Sequence, residues 1–274
     1  MKKRNFLIIS ISSISFILLV LLNNCSTIPI IGRKQLTLLP ESELVSMGVT
    51  NYRGFLDTMP LSKDVKNSQL LLEVGNNIST AVELYLKQNG LEKRLKDFKW
   101  EFALVESNVI NAWCMPGGKI CFYTGILPYT KNADGMAVVM GHEIAHAVAR
   151  HGNERMTQQL LAIAGGAVLT QFIKDKPQET QSVFLNVFSV SAQVGILLPY
   201  SRKHEYEADR LGLIFMAMAG YNPEEAVKFW TRMSEMSGSK PPAFLSTHPS
   251  DIKRIANMQK CMPEAMTYYN KYKK

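Results

Sequence analysis

The chain has 274 residues, 46% of them hydrophobic and 20% charged, with 31 basic against 23 acidic side chains. That composition excludes a disordered or collagen-like chain, and without a repeat of fixed period it describes one globular domain, or a tight pair, able to bury a real core. The formal charge of +8 is no nucleic-acid footprint: Lys2, Lys3 and Arg4 leave if the N-terminus is processed, 8 minus 3 gives +5, and no basic stripe interleaved with aromatics follows.

Lys2 to Arg4 precede the uncharged run Phe6 to Leu22, and Cys25 follows it. That layout is a secretory signal, and the cysteine resembles the acceptor of a bacterial lipoprotein signal, with Leu22 at the expected spacing. Asn24 departs from the small residue usual before such a cysteine, so an uncleaved anchor helix is the alternative. Either way the remainder is expected outside the cytoplasm; if the lipoprotein resemblance holds, Ser26 after the cysteine favours an outer-membrane address. The expected division is a signal peptide over 1–24, a lipidated linker over 25–40 and one domain over 41–274.

Apolar residues recur at helical spacing from Leu36 to about Leu56 and from Lys63 to about Gln88, predicting two amphipathic helices. Trp100 to Glu106 alternates as a strand, and Val109 to Cys114 and Ile120 to Thr124 flank Pro116, Gly117 and Gly118 as a hairpin. Pairing centred on Gly117 and Gly118 sets Cys114 opposite Cys121, where either a disulfide or two buried thiols fits, with Cys261 left single. A long helix is expected from Asp134 to about Gln159. Two apolar stretches, 160–173 and 183–198, are too short for confident membrane spans and form an insert that reads as a lid, a membrane-contacting element, a partner surface or plain core. Helices are further expected over 201–219, 223–236 and 251–258. The fold class is α+β, mainly helical, with a small antiparallel sheet.

The long helix carries His142-Glu143-Ile144-Ala145-His146, an H-E-x-x-H pattern. Residues four apart share a helix face, so both imidazoles can bind one metal ion while Glu143 reaches water beside it. Met136, Val138, Val139 and Met140 make the preceding turns apolar and therefore buried, and a buried His pair beside a Glu calls for a partner that a metal supplies. Catalytic zinc usually takes three protein ligands. Ala149 and Gly152 stand where the metzincin pattern needs Gly and His, and His151, five residues after His146, lies about 140° round the helix from the ligand face and cannot substitute. The best remaining source is 201–212. Glu205 and Asp209 share one face there with the small Ala208 and Gly212, while Lys203, Glu207 and Arg210 form an opposite polar stripe. Glu205 is the expected ligand, Asp209 accepts the free N–H of a ligand histidine, and His204 is read as a non-ligand.

At this point the chain resembles the HtpX and CAAX-prenyl-protease family of gluzincin metallopeptidases, in its small periplasmic lipoprotein branch. The resemblance rests on Asn111-Ala112-Trp113 with Pro116-Gly117-Gly118, Thr124-Gly125, Gly141 to His146 with Arg150-His151, Ser201-Arg202 with Glu205 and Ala208-Asp209, Ala219-Gly220-Tyr221 with Pro223, and Thr247-His248-Pro249. The stretch Ile31-Gly32-Arg33-Lys34-Gln35-Leu36 resembles the segment after the lipidated cysteine in such proteins. Trp113, Cys114 and Cys121 are mild departures. The resemblance implies a gluzincin-type fold and one Zn2+ per chain held by His142, His146 and Glu205, with Glu143 as general base. It also places the loop of His248 over the cleft, where that residue either donates to the oxyanion or fills the open metal position and keeps the site latent. The strand Asn111, Ala112, Trp113 is expected to offer a free edge beside the H-E-x-x-H helix and to take an extended substrate by main-chain pairing.

The expected function is a zinc endopeptidase acting on unfolded or misassembled cell-envelope proteins, membrane-anchored through Cys25, with the outer-membrane assembly machinery as a further candidate partner. The alternative is a chaperone-like lipoprotein for outer-membrane proteins with latent or weak protease activity.

Overall fold

The computed structural model describes residues 25–28, 31–164, 175–188, 201–236, 242–249 and 252–273. The expected signal peptide and most of the apolar insert lie outside them. Strand β1 (Cys25–Thr27) pairs antiparallel with β2 (Lys34–Leu36), and helices α1 (Glu41–Thr58) and α2 (Val65–Gln88) follow. Asp64 caps α2 by accepting from the backbone N–H of Asn67.

The main sheet holds β3 (Glu101–Val105), β4 (Ala112–Met115) and β5 (Lys119–Tyr123) in the order β3-β5-β4. The hairpin β4–β5 is antiparallel as its turn residues predict. β3 lies parallel to β5, so the sheet is mixed. The chain from β3 to β4 crosses over, whereas β4 and β5 are joined by Pro116, Gly117 and Gly118, both glycines at positive φ, 84° and 75°. This three-residue turn pairs Met115 with Lys119, Cys114 with Ile120 and Trp113 with Cys121. The register is one step from that expected, and one step moves a side chain to the other face of a sheet. Cys114 therefore packs with Ile120 and Phe122 on one face and Cys121 with Trp113 and Tyr123 on the other, so a disulfide between them is excluded and both are buried free thiols.

Both faces of the sheet are covered. On the Cys114 side lie α2, α4 (Ala133–Val148) and α7 (Arg202–Met218), and on the Cys121 side lie α1, α5 (His151–Ala164) and α6 (Pro177–Val187). A short α3 (Leu127–Thr130) leads into α4, whose first turn is capped by Asn132 accepting from Gly135 N–H. Within the expected insert, Leu160, Val183, Phe184 and Val187 are core residues. Helices α8 (Glu225–Ser234), α9 (Ala243–Thr247) and α10 (Ile252–Tyr272) complete the described chain, α10 running about four turns beyond the expected end. Among the described residues no helix is long and apolar enough to cross a membrane.

Two local features position the site. Helices α4 and α7 cross at Gly141 and Gly212, where a Cβ on Gly212 would lie 2.9 Å from the backbone nitrogen of His142. And the single helix expected over 134–159 is broken: α4 ends at Val148, Arg150 takes a left-handed φ of 60°, and α5 starts at His151 in a new direction.

Candidate metal centre

α4 is buried almost throughout, so its histidines project into protein. His142 Nε2 and His146 Nε2, one turn apart, lie 3.1 Å from each other. From α7, Glu205 Oε2 stands 3.4 Å from His142 Nε2 and Oε1 3.3 Å from His146 Nε2. His248, just after α9, adds Nδ1 at 3.2 Å from His142 Nε2 and 3.1 Å from Glu205 Oε1. One ligand atom from each of the four residues lies within 4.8 Å of all the others, and all four residues are buried.

Three imidazole nitrogens and a carboxylate converging at these separations cannot all be satisfied by protons. Donor atoms about 2.1 Å from a tetrahedral ion lie about 3.4 Å apart, close to the spacings seen here, so the donor set fits zinc in both geometry and chemistry.

Around this cluster, Asp209 Oδ1 lies 3.0 Å from His142 Nδ1, the geometry in which a carboxylate receives the ring N–H. Arg254 of α10 donates to both oxygens of Asp209 at 2.7 and 2.8 Å, approaches Glu205 Oε2 at 2.6 Å, and lies 3.6 Å over the ring of Trp230. Trp230 also meets His142 edge-on. The sequence assigns Arg254 and Trp230 no role; their contacts arise from the packing of α10 on α7 and of α8 on α4 and α10. Burial would raise the Glu205 carboxyl, but Arg254, with His248, His142 and His146, outweighs it and holds the group well below the usual carboxylate range. Glu143 is the reverse: burial dominates and pushes its carboxyl upward, His248 and His142 pulling the other way. Burial drives His146 well below its ordinary value, so it stays neutral, as a ligand must. His142 is pulled down by burial, but hydrogen bonds to Asp209 and Glu205 outweigh this and raise it to about 9.

Glu143 is buried with Oε1 3.3 Å from His248 Nε2, without a hydrogen bond of good geometry. Asn111, just before the outer strand β4, is buried with neither end of its amide hydrogen-bonded among the described residues, and the carbonyl of Ile110 accepts from Phe244 N–H, which seats α9 at that end of the strand. His204 stays outside the cluster, donating from Nε2 to Glu154 at 3.0 Å.

Two residues differ from their expected places. His151, swung by the break at Arg150, lies with Nδ1 3.0 Å from His146 Nδ1. It stands outside the four-residue donor cluster but touches one of its members. Glu207, expected on an outer polar stripe, is buried between His151 and Arg33. No periodicity reveals either, since one depends on a left-handed residue and the other on a partner 174 positions away.

The family model of Peptidase family M48 matches residues 76–262. The chain is 39% identical to mitochondrial metalloendopeptidase OMA1 of Schizosaccharomyces pombe, over 62% of this chain and 49% of that protein. It is 36% identical to mitochondrial metalloendopeptidase OMA1 of Arabidopsis thaliana over 67% of this chain and 36% of that one. With the beta-barrel assembly-enhancing protease of Yersinia pestis it shares 28% identity over 87% of this chain and 49% of that protein. The chain thus spans about half or less of the length of these three relatives. A match over 76–262, which takes in the H-E-x-x-H helix and Glu205, shows that the chain belongs to peptidase family M48.

Proposed function

We propose that the chain is a zinc-dependent endopeptidase that cuts unfolded or misassembled proteins of the cell envelope. The observation that carries this reading is the buried convergence of His142, His146 and Glu205 with Glu143 beside them. His142, His146 and Glu205 would hold the zinc, which supplies Lewis acidity that polarises a scissile carbonyl and activates water near neutral pH. Glu143 takes the proton of the attacking water and passes it to the leaving amine; a carboxyl raised by burial is suited to both directions of transfer. Asp209, itself fixed by Arg254, fixes His142. An extended substrate would pair along β4 from Asn111 through Ala112 to Trp113, at whose end the buried Asn111 amide has no hydrogen-bond partner among the described residues.

Wild-type protein and Glu143→Gln, both loaded with zinc, test this on an unfolded model protein. The expected outcome is cleavage by the wild type and a fall of about 10²–10⁴-fold in the variant at unchanged zinc content. Equal rates would remove Glu143 as the base. No cleavage by either would favour the chaperone-like reading, whose support is that His248 sits among the ligands in the place usually left open to water.

The address in the envelope, with Cys25 lipidated and the outer-membrane assembly machinery as a partner, belongs to the same proposal. It is supported by the N-terminal layout and by the resemblance to a beta-barrel assembly-enhancing protease. Labelling of cells with palmitate should mark the wild type and leave Cys25→Ala unmarked; equal labelling would refute the anchor.

A further inference from the structure

We propose that the segment from Arg33 to Leu39 is a strap that sets the tautomer of His146 through Glu207 and His151, making Arg33, Glu207 and His151 positioning residues of the metal centre. This rests on the zinc reading above.

Arg33 lies in the loop just before β2, far from the H-E-x-x-H helix in sequence, yet its guanidinium is clasped by two buried carboxylates. Nε and Nη2 donate to Glu207 at 2.7 and 2.9 Å, while Nη1 and Nη2 donate to Glu154, both at 2.8 Å. The fork geometry satisfies both acids at once, which a lysine cannot do. Each acid then meets a histidine: Glu207 Oε2 lies 3.0 Å from His151 Nε2, and Glu154 Oε2 lies 3.0 Å from His204 Nε2. The two rings stack, with centroids 4.5 Å apart and planes at 22°. His151 Nδ1 finally meets His146 Nδ1 at 3.0 Å.

The direction of the proton chain follows from what each atom can do. A Glu207 carboxylate neutralised by Arg33 can only accept, so His151 donates from Nε2. A neutral ring that donates at Nε2 can only accept at Nδ1, so His146 donates from its own Nδ1. That leaves the Nε2 lone pair of His146 directed at Glu205 and His142, the tautomer a metal ligand needs.

The same strap pins the break in the helix that makes the relay geometrically possible. Gln35 Nε2 donates to the carbonyl of Ala149 at 2.8 Å, Leu38 N–H to Thr157 Oγ1 at 3.1 Å, and Asn153 Nδ2 to the carbonyl of Leu39 at 2.9 Å. These bonds span the turn at Arg150, which swings His151 beneath His146. The segment Ile31 to Leu36, which the mechanism does not otherwise use, thereby acquires a task.

The test measures the zinc dissociation constant of the full chain by chelator competition, with the Tm of the metal-free protein alongside. His151→Phe and Glu207→Gln should weaken zinc binding about 10–100-fold, Arg33→Ala should fall in the same range, and Arg33→Lys should recover part of the loss. Arg210→Ala, which removes an ion pair with Glu264 on the outer side of α7, should leave affinity unchanged. Near-isosteric Glu207→Gln keeps the test decisive if Arg33→Ala fails to fold. A lower Tm of the metal-free variants with zinc affinity within twofold of wild type would make the strap structural only and overturn the relay. Wild-type protein that binds no zinc would overturn the metal reading itself, a distinct result.

Discussion

His248 contributes Nδ1 to the donor cluster while its Nε2 faces Glu143, so one side chain contacts both the metal position and the base. On the zinc reading proposed above it stands where substrate and water would have to enter, and removing it would leave His142, His146 and Glu205 as a three-ligand site with an open position. We expect His248→Ala to retain zinc and to cleave an unfolded substrate several-fold faster than the wild type. A fall of about 10²-fold or more at unchanged zinc content would instead make His248 a donor to the oxyanion. The cluster shows which residues the sequence makes legible. His142 and His146 are paired by helical spacing alone, and Glu205 and Asp209 by the small-residue face they share with Ala208 and Gly212. His151 was not legible as a neighbour of His146, because a wheel drawn on one continuous helix turns it away, and only the left-handed Arg150 brings it back. Glu207 fails on the same grounds: the wheel sees α7 alone, whereas a strand-side arginine buries it.

Among the elements, α4 and α7 decide whether the donor residues meet, since one carries His142 and His146 and the other Glu205. Their backbones touch at Gly141 and Gly212, so helix separation is set within one residue of His142. In Gly212→Ala the new Cβ would sit 2.9 Å from the backbone nitrogen of His142, an atom that cannot move without moving α4. The expected cost is about 1–3 kcal/mol in urea unfolding, with weakened zinc binding, because Glu205 moves away with its helix. Unchanged stability and affinity would mean the crossing can relax without disturbing the site. The sheet shows the limit of pattern reading at this scale. Alternation and the Pro-Gly-Gly turn predict the hairpin, but the register depends on how many residues the turn consumes, and one residue decides whether Cys114 and Cys121 share a face. The parallel partner β3 was unreadable as such, since strand alternation carries no direction.

For the molecule as a whole, the N-terminal strap joins β2 to α5 and α7 through ionisable groups, so its contribution to stability depends on pH. Burial would raise Glu154 and Glu207, but hydrogen bonds to His204 and His151 respectively, with Arg33, outweigh it and lower both carboxyls from 4.5 to about 2. Burial lowers His151 from 6.5 to about 4, Glu207 pulling the other way. All three groups bind protons more weakly folded than unfolded, so stability falls as the medium is acidified. His151 contributes in full above pH 6.5 and loses its contribution down to about 4; the two glutamates contribute in full above about 4.5 and lose theirs towards 2. With metal removed by chelation, the Tm of the wild type should therefore decline from pH 7 to pH 4 and more steeply below. Glu207→Gln cannot titrate at that position, so at neutral pH it should be less stable by about 2 kcal/mol, roughly 5 °C in Tm for a chain of this size, with the gap closing as the pH approaches 2. A gap that is constant across this range would show that Glu207 stabilises by packing rather than by charge, and that the strap is held by its main-chain and amide bonds alone.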